Sequence, residues 1–399
     1  MIIADVRLID GIADQAREHV DVLIDSDGRI ATVDDHRPGQ HVAHEGTVWP
    51  GAGSTLLPGL IDCHAHYTID ARLGVLDGIA DAHEAGPSDA AFIGARNAAL
   101  ALRSGVTTAR SGGAAHGRDL ALRDAIAAGH VPGPRLLAAG GALTITGGHG
   151  WQFGYQADGV HELVKLTRTL ARDGVDHFKI VASEAAQITT AVAGVEELTE
   201  DEIRAIVAEA RRLRRRVMSH AQSSGAVIAS ARGGVDSVEH AFLADREALE
   251  VMVECGTTLV PTLTVTDVYR DIPGVSDAVR TRQAELTGLH RTSCEMAIRL
   301  GIPMAAGTDC GVRGVTADMI WREIHNLHDH GLSPMAAIKA ATSGAARLLG
   351  VELEAGAVAI GRPADVILVD GDPLSDLRHL SDPRLVVQGG HVVHVRDRG

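Results

Sequence analysis

Between residues 59 and 353, short apolar runs alternate with helical patterns, and no other feature of this chain restricts its fold as strongly. Strand-like runs recur at Gly59–His66, Val106–Arg110, Arg135–Gly141, His177–Val181, Arg216–His220, Ser237–Ala241, Thr258–Leu263 and Pro303–Asp309. Helical periodicity fills most of the intervals, at Asp89–Arg103, Asp119–Ala128, His161–Arg172, Thr199–Arg215, Ala244–Glu254 and Ala278–Leu300. Each helical stretch tends to stop at glycine followed by a β-branched residue, as in SGVTT, DGVDHF, GGVDSVEH and CGTTLV. Glycine takes the left-handed cap that ends a helix, and the β-branched residue opens the next strand. Eight such units predict an α/β protein built on a (β/α)8 TIM barrel rather than an open sheet.

The two ends read differently. VRLID, VDVLID and RIATV near the start, and AVAI, DVILVD, LVVQ and HVVHV near the finish, are short β-type runs punctuated by SDG, RPG, GRPAD and GDP. They predict one small β-sandwich domain assembled from residues 1–58 and 354–399 around a barrel at 59–353, a division that suits 399 residues. Long connections at Tyr67–Ser88 and Ala142–Gly159 fall after the first and third strands, over the C-terminal mouth where barrels keep their chemistry. Aromatics are only 3%, so the core must come from Ala, Val, Leu and Ile. No apolar run reaches the roughly 18–20 residues that span a bilayer, and MIIADVRLID lacks the basic-then-apolar order of a signal peptide. A net charge of -15 argues against nucleic acid or anionic lipid as partner. Four scattered cysteines form no CxxC. A cytoplasmic homo-oligomer acting on a small molecule is expected.

Histidine is abundant, 21 residues, and its placement matters more than its number. His64 and His66 in LIDCHAH lie two apart on the first barrel strand, which sends both side chains to one face. Lys179 lies in the fourth strand, His220 and His240 end the fifth and sixth, and Asp309 ends the eighth. A barrel aims all these ends into one mouth. Four imidazoles and a carboxylate suit Zn²⁺ or a similar divalent ion. Lys179 is the odd member, because an ammonium cannot ligate a cation. As a neutral amine it can add CO₂ to become a carbamate (N6-carboxylysine), an oxygen donor able to bridge two ions; the other reading is a snorkelling or salt-bridged lysine on the barrel wall.

Taken together, LLPGLIDCHAH, FKI, MSHAQ, VEHAF and AGTDCG resemble the amidohydrolase superfamily in its binuclear, carboxylated-lysine branch, and the terminal strands resemble that family's small domain. ITGGHG and the AGTDCG…AIKAATSGAARLLG tail are most similar to its peptidase-like group: prolidase-type and Xaa-Arg or Xaa-Lys dipeptidases, toxin amidases and imidazolonepropionase-related enzymes. The resemblance implies one metal on His64, His66 and Asp309, a second on His220 and His240, and Lys179 carbamate with a hydroxide bridging both. It implies Asp309 as general base and acid, and His149 as a catalytic and substrate-holding residue above the mouth. Relatives usually carry a carboxylate-capturing tyrosine after PTL; here Thr266 stands near that position, and the nearby tyrosine is Tyr269. Trp151 and Tyr155 are available as an aromatic wall for substrate.

These residues imply a metal-dependent amidohydrolase cleaving an amide or peptide C–N bond of a dipeptide, N-acyl amino acid or similar small amide. The alternative is a hydrolase or deaminase of a cyclic amide or heterocycle. Deaminase relatives place an acidic residue three positions after the fifth-strand histidine, whereas His220 is followed by AQSSG. A catalytically dead scaffold would be expected to have lost ligands, and all six positions are intact. GxSxG and P-loop motifs are absent, so serine-hydrolase and NTPase chemistry lack support.

Overall fold

The computed structural model describes residues 1–39, 46–72, 83–185, 194–270 and 277–396. The chain begins with β1 (Ile2–Leu8), β2 (Arg17–Ile24), β3 (Ile30–Asp35), β4 (Val48–Pro50) and β5 (Ser54–Pro58). The barrel follows: β6 (Leu60–Ala65), α1 (Pro87–Arg103), β7 (Val106–Ser111), α2 (Arg118–Ala127), β8 (Arg135–Leu137), β9 (Ala142–Thr144), β10 (Gly154–Gln156) and α3 (Gly159–Arg172). It continues with β11 (Phe178–Val181), α4 (Glu200–Arg212), β12 (Val217–Ser223), α5 (Ser224–Gly233), β13 (Ser237–Leu243) and α6 (Arg246–Cys255). Then come β14 (Thr258–Val260), α7 (Leu263–Arg270), α8 (Asp277–Arg299), α9 (Ile320–Asp329), α10 (Pro334–Ala340) and α11 (Ser343–Leu349). The chain closes with β15 (Val366–Asp370), β16 (Leu385–Gln388) and β17 (His391–Val395).

Strands from both ends form one continuous hydrogen-bonded sheet in the order β17-β16-β15-β5-β1-β2-β3, with β4 beside β1. Period-2 alternation gives it two buried faces. Val20, Val22, Leu56, Val366 and Leu368 turn to its own core. Leu57, Ile367, Val369 and Val386 turn the other way and join Leu60, Ala98 and Val106 in the core shared with the barrel. AVAI, expected as a strand, is irregular: Gly356 and Gly361 bound it in left-handed conformations (φ 82° and 84°), so only Val358 is used, packed into the sheet core.

The barrel strands run parallel: β6-β7-β8 on one side and β9-β11-β12-β13-β14 on the other. The expected third strand is broken. β8 pairs with β7 and β9 with β11, and Gly140 (φ 74°) turns the chain between them. The eighth run makes no regular ladder; single bridges join Met304 to Leu259 and Cys310 to Ala65, linking the β14 and β6 sides. Pro303 removes a donor at its start, and Asp309 bends it with φ 56°. The seventh strand stops at Val260 rather than Leu263, because Pro261 cannot donate and Thr262 is left-handed (φ 55°). Helix α5 gives little sequence signal: SGAVIASARG is rich in small residues, buries Ala226, Val227, Ser230 and Ala231, and has no strongly polar face.

Candidate metal centre

His64 lies on β6 and His66 immediately beyond its end. Both are buried, at 1% and 5% exposure, with rings 5.3 Å apart. Asp309 comes in from the eighth run, its Oδ1 3.4 Å from Nε2 of each histidine. One donor atom from each of the three residues falls within a mutual 4.8 Å. His240 on β13 stands 5.1 Å from the His64 ring, and His220 on β12 stands 4.5 Å from the His240 ring. Lys179 rises from β11 and places Nζ 3.4 Å from His64 Nε2. The six positions singled out in the sequence therefore share one buried cavity at the C-terminal mouth. Two of them, His240 (φ 74°) and Asp309 (φ 56°), sit in left-handed backbone that costs of order 1–3 kcal/mol for a residue with a Cβ. That kink lets consecutive residues Glu239 and His240 both serve the site, which simple strand alternation forbids.

The imidazoles are held from behind. His64 Nδ1 meets Glu239 Oε2 at 3.0 Å, His66 Nδ1 meets the Gly113 carbonyl at 3.0 Å, and His240 Nδ1 meets Thr262 Oγ1 at 2.8 Å. Each contact leaves Nε2 as the remaining donor atom, in the cavity for His64 and His66. His220 Nε2 is buried and finds no hydrogen-bond partner among the described residues. Gly112 keeps the space in front clear: a Cβ there would lie 2.5 Å from His66 Nε2 and 3.0 Å from His64 Nε2. Nitrogen donors with fixed tautomers, one carboxylate and a cradle without a side chain fit a divalent metal.

Electrostatics agree. Burial pushes His64, His220 and His240 well below the ordinary imidazole value, so all are neutral at neutral pH, the form that can ligate a cation. Burial also lowers Lys179 to about 8, opposed by Glu239 and Asp309. Among the described residues no carboxylate lies within ion-pair distance of its Nζ; the nearest polar contact is His64 Nε2. Burial raises the Asp309 carboxyl, but His64 and His66 outweigh it and leave the group below the usual carboxylate range.

His149 reaches the same cavity, its ring 4.7 Å from His220, and burial with the nearby Lys179 lowers it to about 4. Two contacts hold its backbone: its N–H donates to Glu197 Oε1 at 2.7 Å, and its carbonyl accepts from Thr144 Oγ1 at 3.1 Å. The aromatics named from the sequence do not line the metal cavity itself, though Trp151 shares a neighbouring cavity with His149. Trp151 is 42% exposed and meets His83 edge-on, and Tyr155 lies outside on β10; neither lines the metal cavity. Phe153 does, edge-on to His66 at 5.5 Å, with Ile69, Val181 and Val312 beside it. Gly150 (φ 71°) makes this turn possible, since a Cβ there would strike the Phe153 ring at 2.5 Å. Thr266 is bonded into the α7–α8 contact through Leu263 O and His290 Nδ1, away from the cavity. Tyr269 belongs to α7 by its backbone, and its side chain lies outside the described residues. Glu239, Gly112, Phe153 and Glu197 were not anticipated; only the Glu next to His240 in VEHAF gave any signal.

Comparison with known proteins places this arrangement. The model of the amidohydrolase family matches residues 55–393. Ochratoxinase from Aspergillus niger is 30% identical over 364 residues, covering 83% of this chain and 73% of its own. Imidazolonepropionase from Ectopseudomonas mendocina is 26% identical over 430 residues, covering 98% and 97%. Among solved structures, a Xaa-Pro dipeptidase with methionine bound in its active site superposes with a TM-score of 0.87 at 27% identity, covering 98% of each chain. The chain belongs to the amidohydrolase family and is a hydrolase of carbon–nitrogen bonds with the barrel fold of that family.

Proposed function

We propose that this amidohydrolase cleaves the amide bond of a dipeptide, N-acyl amino acid or similar small amide in the cytoplasm, using two divalent ions, with zinc best suited to the donors. His64, His66 and Asp309 would hold one ion, His220 and His240 the other, and Lys179, as its carbamate, would join them. The observation that carries this is the convergence of four buried imidazoles, a carboxylate and a buried lysine, with no carboxylate in ion-pair reach among the described residues, on one barrel mouth. The ammonium first loses one proton, and joining the resulting amine to CO₂ releases a second, which turns a repelling cation into an anionic oxygen donor.

Bound there, such ions supply Lewis acidity that lowers the pKa of a water and polarises the substrate carbonyl. Asp309 orients the attacking water, takes its proton and returns it to the departing nitrogen, which leaves poorly without it. His149, which lines the same cavity and is neutral at pH 7, would donate a hydrogen bond to the carbonyl or carboxylate of the substrate. Ile69, Phe153, Val181 and Val312 offer an apolar flank, favouring an apolar or aromatic group next to the scissile bond.

A panel of dipeptides, N-acyl amino acids and cyclic amides, assayed on zinc-loaded protein, tests the reading. Hydrolysis of at least one acyclic amide with two ions per chain is expected; turnover of cyclic amides alone, or none at full metal loading, would overturn it. Carbon-13 NMR after ¹³CO₂ exposure should show a carbamate signal that Lys179→Ala abolishes.

A further inference from the structure

The four histidines are not held alike, and the difference follows the two halves of the site. Behind His64 stands a buried ionic assembly. Glu239 is fully buried and its Oε2 faces His64 Nδ1, while its Oε1 accepts from Arg110 at 3.0 Å and from Ser237 Oγ at 2.5 Å. Arg110, only 2% exposed, also donates to Ser237 Oγ at 3.1 Å and, through Nε, to the Cys63 carbonyl at 2.7 Å, the residue preceding His64. The assembly thus grips His64 by its ring and by its strand. Burying a guanidinium and a carboxylate in a barrel core costs several kcal/mol per ion, and their attraction offsets this only with good geometry, so the pair is poor evidence of a stabilising device. A carboxylate accepting Nδ1–H does something an apolar neighbour cannot: it fixes the tautomer and makes Nε2 more basic.

Support for the other half is weaker. His240 Nδ1 meets a neutral hydroxyl, Thr262 Oγ1, where His64 Nδ1 meets a carboxylate. Among the described residues that half also has no carboxylate of its own, whereas His64 and His66 share Asp309.

Resting on the two-ion reading above, we propose that Glu239, held by Arg110 and Ser237, is a positioning residue for His64. It makes the His64–His66–Asp309 position the tight one, which fills first, and leaves the His220–His240 position weaker and exchangeable. Removing such a carboxylate lowers metal affinity roughly 10–100-fold.

The test titrates metal-free protein with Zn²⁺ against a chromophoric chelator and reads stoichiometry and both dissociation constants, independently of turnover. Wild type should show two phases at least about tenfold apart, in line with that range. Glu239→Gln, its fold checked by circular dichroism, should weaken the tight phase by roughly 10–100-fold and leave the weaker within about threefold. Ser237→Ala, which removes one hydroxyl and keeps the carboxylate, should weaken the same phase by less and serves if Glu239→Gln does not fold. Thr262→Val should move only the weaker phase. An unchanged tight phase in both Glu239→Gln and Ser237→Ala, or equal weakening of both phases, overturns the proposal. A single phase of one ion per chain in wild type instead overturns the two-ion reading itself.

Discussion

Replacing Gly112 by alanine adds one methyl group where the site has no room for it. The new Cβ would lie 2.5 Å from both Cε1 and Nε2 of His66 and 3.0 Å from Nε2 of His64, where ordinary contact begins at 3.4 Å. The backbone of Gly112 is not left-handed, so alanine is tolerated there conformationally and the effect is local. His66 must retreat by roughly 1 Å, well beyond the roughly 0.2–0.5 Å that a metal shell or a catalytic constellation tolerates. Its bond to the Gly113 carbonyl then stretches as well. Overpacking of this kind costs about 1–3 kcal/mol of stability, which a barrel of this size survives. Expected results are a folded protein by circular dichroism, loss of the ion at the His64–His66–Asp309 position by metal analysis, and kcat/KM at or below about 1% of wild type, as for a misplacement of about 1 Å. Excess zinc should not restore it. Gly288→Ala is the control: it lies in α8 with nothing within 4 Å, and should be neutral or slightly stabilising. Full metal content and wild-type kcat/KM in Gly112→Ala would refute the placement of an ion in front of these two imidazoles.

Lys179→Ala should bind no more than one ion per chain and lose turnover; plasma-source mass spectrometry retaining two ions would remove the bridging role. Asp309→Asn should keep most of its metal yet lose roughly 10²–10⁴ in kcat, the range of general acid–base catalysis, and a near-normal kcat would take that role from Asp309. His290, buried and lowered to about 3 by burial with a further contribution from His330, titrates near 6.5 when unfolded. The unfolded chain therefore binds the extra proton between these values, so this stability is present above pH 6.5 and lost as pH falls toward 3. Asp62 and Asp119, raised to about 6 by burial, act oppositely, being least favourable above pH 6. Comparison with one variant separates the two: between pH 6.5 and 5, urea unfolding of His290→Gln should lose about 2 kcal/mol less than wild type, and parallel profiles would count against a buried neutral His290.

What the sequence made legible, and what it hid, have separate physical causes. Convergence could be read because a parallel barrel turns sequence order into a ring of strand ends, so His64, Lys179, His220, His240 and Asp309 meet in one cavity without any knowledge of detailed packing. Partners across the ring could not be read. Arg110 on β7 meets Glu239 on β13 through the barrel interior, and that depends on strand tilt and register, which periodicity does not encode. Gly112 is functional through an atom it lacks. Phe153, rather than Trp151 or Tyr155, lines the metal cavity, and its ring packs against left-handed Gly150, where any side chain would clash. The third and eighth strands departed from expectation for a related reason: each is interrupted where the mouth is shaped, at Gly140 and at Asp309.

These departures share a location. Regular strand pairing fixes alternate residues to alternate faces, and a site of six converging donors with their supports needs more directions than alternation provides. His66 lies just past the end of β6, His240 and Ala241 turn left-handed within β13, Thr262 does so after Pro261, and Asp309 does so at the close of the eighth run. Each irregularity redirects one side chain toward the cavity or its supporting contacts, at a cost the surrounding barrel must offset. The apolar core beneath, with Ile61, Cys63, Val260 and Ala305 fully buried, supplies that rigidity directly below the ligands. Strain concentrated above a close-packed floor holds these side chains in place, which is the condition under which the backing of each histidine, rather than the residue types alone, would set how tightly an ion is held.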